Sequence, residues 1–107
     1  MSERKLYGKF KEKMQKADLN CWVYKIPDFP LGGKRPFDFI LVMKGVPFAI
    51  EFKSEEGTLK KYQGYQLQKF IIAEGESLIY WEGRDNMDSF INKIIKIVKK
   101  RKNSNVV

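Results

Sequence analysis

The sequence predicts an α/β fold: a small mixed β-sheet with helices packed on its faces, in the order α-β-β-β-α-β-α. Three observations predict it. Segments with apolar residues three and four apart alternate with segments rich in β-branched and aromatic residues. The longest of the latter, Phe37–Lys53 (FDFILVMKGVPFAIEFK), is divided by Lys44-Gly45, which reads as a two-residue hairpin turn. The 107 residues, 43% hydrophobic, suffice for one core and leave no length for a second.

Each element follows from its own pattern. Between Ser2 and Asp18, Leu6, Phe10, Met14 and Ala17 form one stripe of an amphipathic helix. Cys21–Ile26 reads as a short strand that stops at Pro27. The next ten residues, PDFPLGGKRP, hold three of the four prolines and a Gly-Gly pair, and read as a loop. After the hairpin, helical spacing returns from Thr58 to about Glu74 and is closed by Gly75. Ser77–Glu82 is the fourth strand. Asp85 is placed to cap a last helix whose apolar face is Met87, Phe90, Ile91, Ile94, Ile95 and Val98. The expected domain is 1–102, with 103–107 a frayed tail. No segment reaches the roughly 18 apolar residues of a membrane span, and the charged N-terminal segment lacks a leader's apolar run. A soluble intracellular protein is expected.

Charge and composition narrow the chemistry. Lys and Arg number 21 against 13 Asp and Glu, a net charge of +8, and histidine is absent. The single cysteine, Cys21, excludes an internal disulfide and reads as a small buried residue. Without histidine, Cys/His zinc sites and Ser-His-Asp or Cys-His catalysis are excluded as well. A catalytic metal would have to be held by carboxylates, which favours Mg²⁺, with Mn²⁺ able to substitute. The cationic surplus suits a polyanion, nucleic acid before a membrane surface; solubility alone is the alternative.

The hairpin brings particular residues together. A turn at Lys44-Gly45 pairs Met43 with Val46, which sets Asp38 directly opposite Glu51. Lys53 shares their face, with Ile40, Val42 and Ala49 continuing it. Phe37, Phe39, Leu41, Met43, Val46, Phe48, Ile50 and Phe52 are expected on the opposite face, the main core. Both faces are thus apolar and must be covered. Like charges facing each other across a strand pair destabilise it. A divalent cation would turn that repulsion into coordination, and Lys53 could then orient an attacking water or stabilise charge on a phosphoryl group. The alternative is a surface ion pair of Glu51 with Lys53 beside an incidental Asp38.

Pro36-Phe37-Asp38 followed by Glu51-Phe52-Lys53 resembles the PD-(D/E)xK nuclease signature, an acid on one strand and ExK on the next. The residues after it, SEEGTLKKYQ to Gln63, resemble the virus-type replication-repair nuclease (VRR-NUC) pattern, in which a Gly and then a helix-opening Gln follow the lysine. Small archaeal and phage Holliday-junction resolvases share that core and are similar in length. The resemblance spans about Glu3 to Tyr80. It implies a restriction-endonuclease-like core and Mg²⁺-dependent hydrolysis of DNA phosphodiesters, with Asp38 and Glu51 as metal ligands and Lys53 and Gln63 positioning the water. The family places Pro directly before the acid, whereas Phe37 intervenes here and alters the approach to Asp38. In these families an acid from the first helix often completes the site. Glu3 is chosen over Glu12, because Glu3 shares the inward stripe of Leu6 and Phe10 while Glu12 lies about 180° away. An acid in the first helical turn also suits the helix dipole without any function. The resemblance favours a Holliday-junction resolvase acting on branched DNA. Paired symmetric cuts by a domain with one site then imply a homodimer. The alternatives are a VRR-type nuclease acting on flaps or nicks, and a non-catalytic nucleic-acid-binding domain of the same fold.

The other candidates are cations, amides and aromatics. Gln63 and Gln66 lie on the stripe of Leu59, Leu67 and Phe70 and need hydrogen-bond partners there. Lys25, Lys34 and Arg35 are candidate phosphate contacts around the loop, where a solvated loop is the alternative. Lys96, Lys99, Lys100, Arg101 and Lys102 could grip DNA, although cations also suit a helix C-terminus. Trp22 and Trp81, in predicted strands, are expected in the core rather than as base-stacking platforms.

Overall fold

The structure is a computed structural model that describes residues 3–17, 20–27 and 35–104, with the backbone alone at 3, 4 and 104. Its elements come in the expected order: α1 (Glu3–Ala17), β1 (Cys21–Lys25), β2 (Phe39–Met43), β3 (Val46–Lys53), α2 (Lys61–Ile72), β4 (Glu76–Trp81) and α3 (Met87–Ser104). The strands form one mixed sheet in the order β1-β2-β3-β4. The first two pairings are antiparallel; β3 and β4 run parallel, joined through α2 by the crossover that a parallel pair requires.

The hairpin turn sets the register. Lys44 (φ 50°) and Gly45 (φ 82°) both adopt left-handed conformations, the geometry that matches the twist of a two-residue hairpin. Met43 then faces Val46, and the ladder continues to Phe39 opposite Ile50. Pro47 is tolerated within β3 because pairing with β4 begins only at Phe48.

Helices α1 and α3 cover one face of the sheet. Leu6, Phe10 and Met14 from α1 and Phe90, Ile94 and Val98 from α3 close over Phe39, Leu41, Phe48, Ile50 and Phe52. The fully buried Phe10 ring lies 5.0 Å from Phe39 and 5.8 Å from Phe52, so truncating it should destabilise the fold by about 3–5 kcal/mol. Helix α2 covers part of the other face, where Leu67 packs on Ala49 with Ile40, Leu59, Phe70 and Ile79 around them.

Several local expectations are corrected. Phe37 does not join the main core: it packs with Ala49 and Leu67 on the α2 side, its ring 5.7 Å from Phe70. Residues 36–38 form a bend, so strand alternation does not extend to Phe37. Helix α2 starts at Lys61 rather than Thr58, because Lys60 is extended (ψ 147°) and its N–H donates to Gln63 Oε1 at 3.4 Å. The helix does not end on a left-handed glycine. Glu74 takes that conformation (φ 69°), with Glu74 N–H on the Ile71 carbonyl and Gly75 N–H on the Phe70 carbonyl, a Schellman closure. Gly75 is needed for space, since a Cβ there would stand 2.3 Å from the Phe70 ring. Asn86, not Asp85, caps α3: its Oδ1 accepts the Ser89 N–H, while Asp85 accepts the Trp81 N–H within the preceding turn. Helix α3 continues through Ser104, past the expected start of the tail. Trp22 is 55% exposed and is not a core residue, because β1 is an edge strand and this side of it is open. Cys21 is half-buried. Among the described residues no helix is long and apolar enough to cross a membrane.

Candidate active site

The site forms where β2 begins and β3 ends, on the face that α2 covers. Asp38 stands one residue before β2 and Glu51 lies within β3; both are buried, at 3% and 2% exposure. The Asp38 N–H donates to the Ile50 carbonyl at 3.1 Å. Its Oδ2 accepts the Phe52 N–H at 2.6 Å, a position the carbonyl of Phe37 would fill if the ladder continued. The departure at Phe37 therefore has a structural counterpart: the backbone bends away, and the acid itself finishes the strand pairing.

Arg35 supplies the counter-charge. Its guanidinium lies 2.8 Å from Asp38 Oδ1 and also donates to the Ile26 carbonyl at 3.4 Å. Sequence reasoning assigned Arg35 to phosphate and missed this pairing, although the i,i+3 spacing to Asp38 was a usable signal. Among the described residues Glu51 has no such ion pair, and its carboxyl is pushed up to about 9. Burial is the main cause, followed by its hydrogen bond with Asp38 and that residue's charge, against the weaker pull of Lys53 and Arg35. Burial and the neighbouring Asp38 thus favour the protonated form of Glu51.

Gln63 links the pair to the lysine. As the third residue of α2 it reaches back over the sheet, where Nε2 donates to Glu51 Oε2 at 3.1 Å and Oε1 accepts from Lys53 Nζ at 2.8 Å. The amide orientation is fixed at both ends, because Oε1 also accepts the Lys60 N–H that starts the helix. Glu51, Gln63 and Lys53 are therefore one hydrogen-bonded unit, with the buried Asp38 beside Glu51. The donor set fits a hard divalent cation: two buried carboxylates offer oxygen ligands and a proton that a cation would displace. Among the described residues no third acidic side chain joins them.

The remaining candidates are dispersed. The Glu3 side chain and Lys34 lie outside the described residues. Helix α1 packs on the opposite face, yet its first turn starts at the Asp38 end of the sheet, since Tyr7 meets Phe39 edge-on at 5.4 Å. Lys25 stands on the α1 face, its ammonium 5.7 Å over the Tyr7 ring. The basic C-terminal cluster lies at the far end: Lys102 approaches the turn glycine Gly45, about 20 Å along the strand from Glu51. Within it, Lys99 and Lys100 are exposed. Arg101 is engaged internally, donating to the Glu74 carbonyl at 2.7 Å and pairing with Glu76 at 3.8 Å.

No family model matches the chain, and no curated protein matches it. Among solved structures, that of Archaeoglobus fulgidus Hjc, a Holliday junction resolvase from an archaeal hyperthermophile, superposes with a TM-score of 0.43 at 16% identity, covering 71% of this chain and 69% of that one. An overlap at this level says nothing about the activity of the present chain. The PD-(D/E)xK resemblance therefore stands on the four linked residues themselves.

Proposed function

We propose that this protein is a Mg²⁺-dependent endonuclease that hydrolyses DNA phosphodiesters. The observation that carries the reading is the buried Asp38–Glu51 pair joined through Gln63 to Lys53. Asp38 and Glu51 would hold the ion, with Mn²⁺ able to replace Mg²⁺ and with Glu3 as the further acid suggested by the family. The chemistry a bound divalent cation supplies is polarisation of the phosphate and a lowered pKa for a coordinated water. The chain's own residues supply position. Gln63 holds the Lys53 ammonium beside the carboxylates, where it can orient a water or meet developing phosphate charge. Family resemblance and size favour branched DNA, a Holliday junction above others, cut by a homodimer. Lys34, Lys99 and Lys100 are candidate backbone contacts for arms extending beyond the site.

A second reading is favoured by Arg35, which already neutralises Asp38: a nucleic-acid-binding domain without catalysis. One experiment separates the two. Purified protein is incubated with a four-way junction, a flap, a nicked duplex, a linear duplex and a single strand, each with Mg²⁺ or EDTA. The nuclease reading expects Mg²⁺-dependent cleavage, strongest on the junction. Preference for flaps or nicks would assign the VRR-type substrate range, and binding without cleavage of any substrate would establish the non-catalytic reading.

A further inference from the structure

Trp22 and Tyr24 form an exposed aromatic surface that the site described above does not use. They alternate along β1, are 55% and 47% exposed, and their rings are parallel to within 5° with centroids 5.6 Å apart. Register fixes which way they face. Trp22 pairs with Val42 and Tyr24 with Ile40, and Ile40 pairs in turn with Ala49. The rings therefore stand on the face that carries Asp38 and Glu51. Helix α2 covers the Ala49 side of this face and leaves the β1 side open.

We propose that Trp22 and Tyr24 are a stacking platform for unpaired bases of a nucleic-acid strand whose backbone passes the Asp38–Glu51 site. Parallel indole and phenol rings half in water offer a π-face to a base, and such stacking tolerates any sequence. Bases inside a duplex have no free face, so the platform selects strands with unpaired or splayed nucleotides. Charge points to the same occupant: Arg35 pairs with Asp38, Lys53 with Gln63, and Lys60 and Lys61 open the helix that carries Gln63, within a chain carrying a net charge of +8. The spacing suits a short stretch of strand. At about 4.8 Å between strands and about 3.3 Å per residue, Tyr24 lies about 12 Å and Trp22 about 16 Å from Glu51. That distance holds about three to five nucleotides at the 3.4 Å stacked spacing. The inference rests on the proposed nuclease site for its geometry and names the substrate feature that site would select.

Binding is measured without metal, so that it does not depend on catalysis. The chain has two tryptophans, and Trp81 packs against Arg84 at 4.8 Å, so Trp81→Phe leaves Trp22 as the sole indole reporter. Titrating that full-length variant with a 15-nucleotide oligothymidylate in EDTA should quench its emission saturably, whereas a blunt duplex of equal length should quench it far less. In the otherwise unaltered chain, Trp22→Ala should weaken single-strand binding about 10- to 100-fold. Trp22→Tyr should restore most of it, and duplex binding should move less than threefold. Absent quenching, or unchanged single-strand affinity in Trp22→Ala, would overturn the proposal. A shift in sedimentation from dimer to monomer in Trp22→Ala with unchanged affinity would overturn it too, assigning the rings to contact with a second copy. The two readings fail separately: quenching without any Mg²⁺-dependent cleavage leaves the platform standing and removes the nuclease, and cleavage with an indifferent Trp22→Ala does the reverse.

Discussion

Replacing Glu51 with Gln examines the buried pair directly. The folded Glu51 carboxyl is pushed up to about 9 by burial first, then by its hydrogen bond with Asp38 and the charge of Asp38, whereas its ordinary value is 4.5. Its contribution to stability is therefore full below about pH 4.5 and is lost as pH rises toward about 9. Inside that window the unfolded chain has released a proton that the folded chain retains, so stability falls by up to about 1.4 kcal/mol per pH unit. At pH 8 the ceiling is about 5 kcal/mol, and relaxation around the ion and water at the half-buried Lys53 side reduce the expected effect to about 2 kcal/mol. Glutamine keeps the arrangement without the titration: its carbonyl accepts from Gln63 as Glu51 Oε2 does at 3.1 Å, and its amide donates to Asp38 in place of the acid proton. Glu51→Gln should therefore melt about 8–16 °C above the parent at pH 8 in EDTA, and within about 2 °C of it at pH 5. Thermal unfolding by circular dichroism at pH 5, 6.5 and 8 provides the assay. Parallel pH curves for parent and variant, or a variant less stable at pH 8, would refute the raised Glu51 carboxyl.

The same site yields other expectations. Mg²⁺ should raise the parent's melting temperature more at pH 8 than at pH 6, because binding displaces the Glu51 proton, and should leave Glu51→Gln nearly unmoved in the same melts. Asp38→Asn or Lys53→Ala should lower cleavage at least about 100-fold while junction affinity in a gel-shift assay stays within threefold; unaltered turnover in either variant rejects the site. Glu3→Gln should reduce cleavage well beyond Glu12→Gln, whose carboxylate is exposed and pairs with Lys16 at 3.0 Å, and equal rates would remove Glu3 from the site. At the end of α2, Glu74→Gly should raise stability by about 1 kcal/mol by relieving a left-handed glutamate, whereas Gly75→Ala should lower it by forcing a methyl into the Phe70 ring; urea unfolding reads both.

What could be read from the sequence depended on whether local geometry or tertiary cover decided the matter. The opposition of Asp38 and Glu51 was legible because a two-residue turn at Lys44-Gly45 admits one register and strand alternation then assigns the faces. The same alternation misplaced Phe37, since nothing local announces that the chain bends at 36–38 so that the Asp38 carboxylate can take the Phe52 N–H. Trp22 failed for a different reason. Its strand was identified correctly, but composition cannot tell an edge strand with one open face from a covered one, and only the sheet order reveals that α2 stops short of β1. Gln63 was legible as a helix residue reaching Lys53, whereas its bond to Glu51 was not read from the sequence. Its second task, opening α2 by accepting the Lys60 N–H, was not, because it depends on where the helix begins.

The arrangement of charge argues that the acid pair is there for more than structure. Elsewhere the same face is filled by Ile40 and Ala49, so apolar packing at this position was available to the fold. Replacing a buried ionic group with apolar residues is often neutral or stabilising. This chain instead buries two carboxyls against each other and then commits Arg35, a proton, Gln63 and through it Lys53 to hold them. Local conflicts of this kind persist where function requires them. On the nuclease reading two of these compensations would give way, the Glu51 proton to a cation and the Arg35 guanidinium, now on Asp38, to a phosphate. A pair built only to stabilise the hairpin would need neither freedom, whereas a site that takes up a cation and a phosphodiester together needs both.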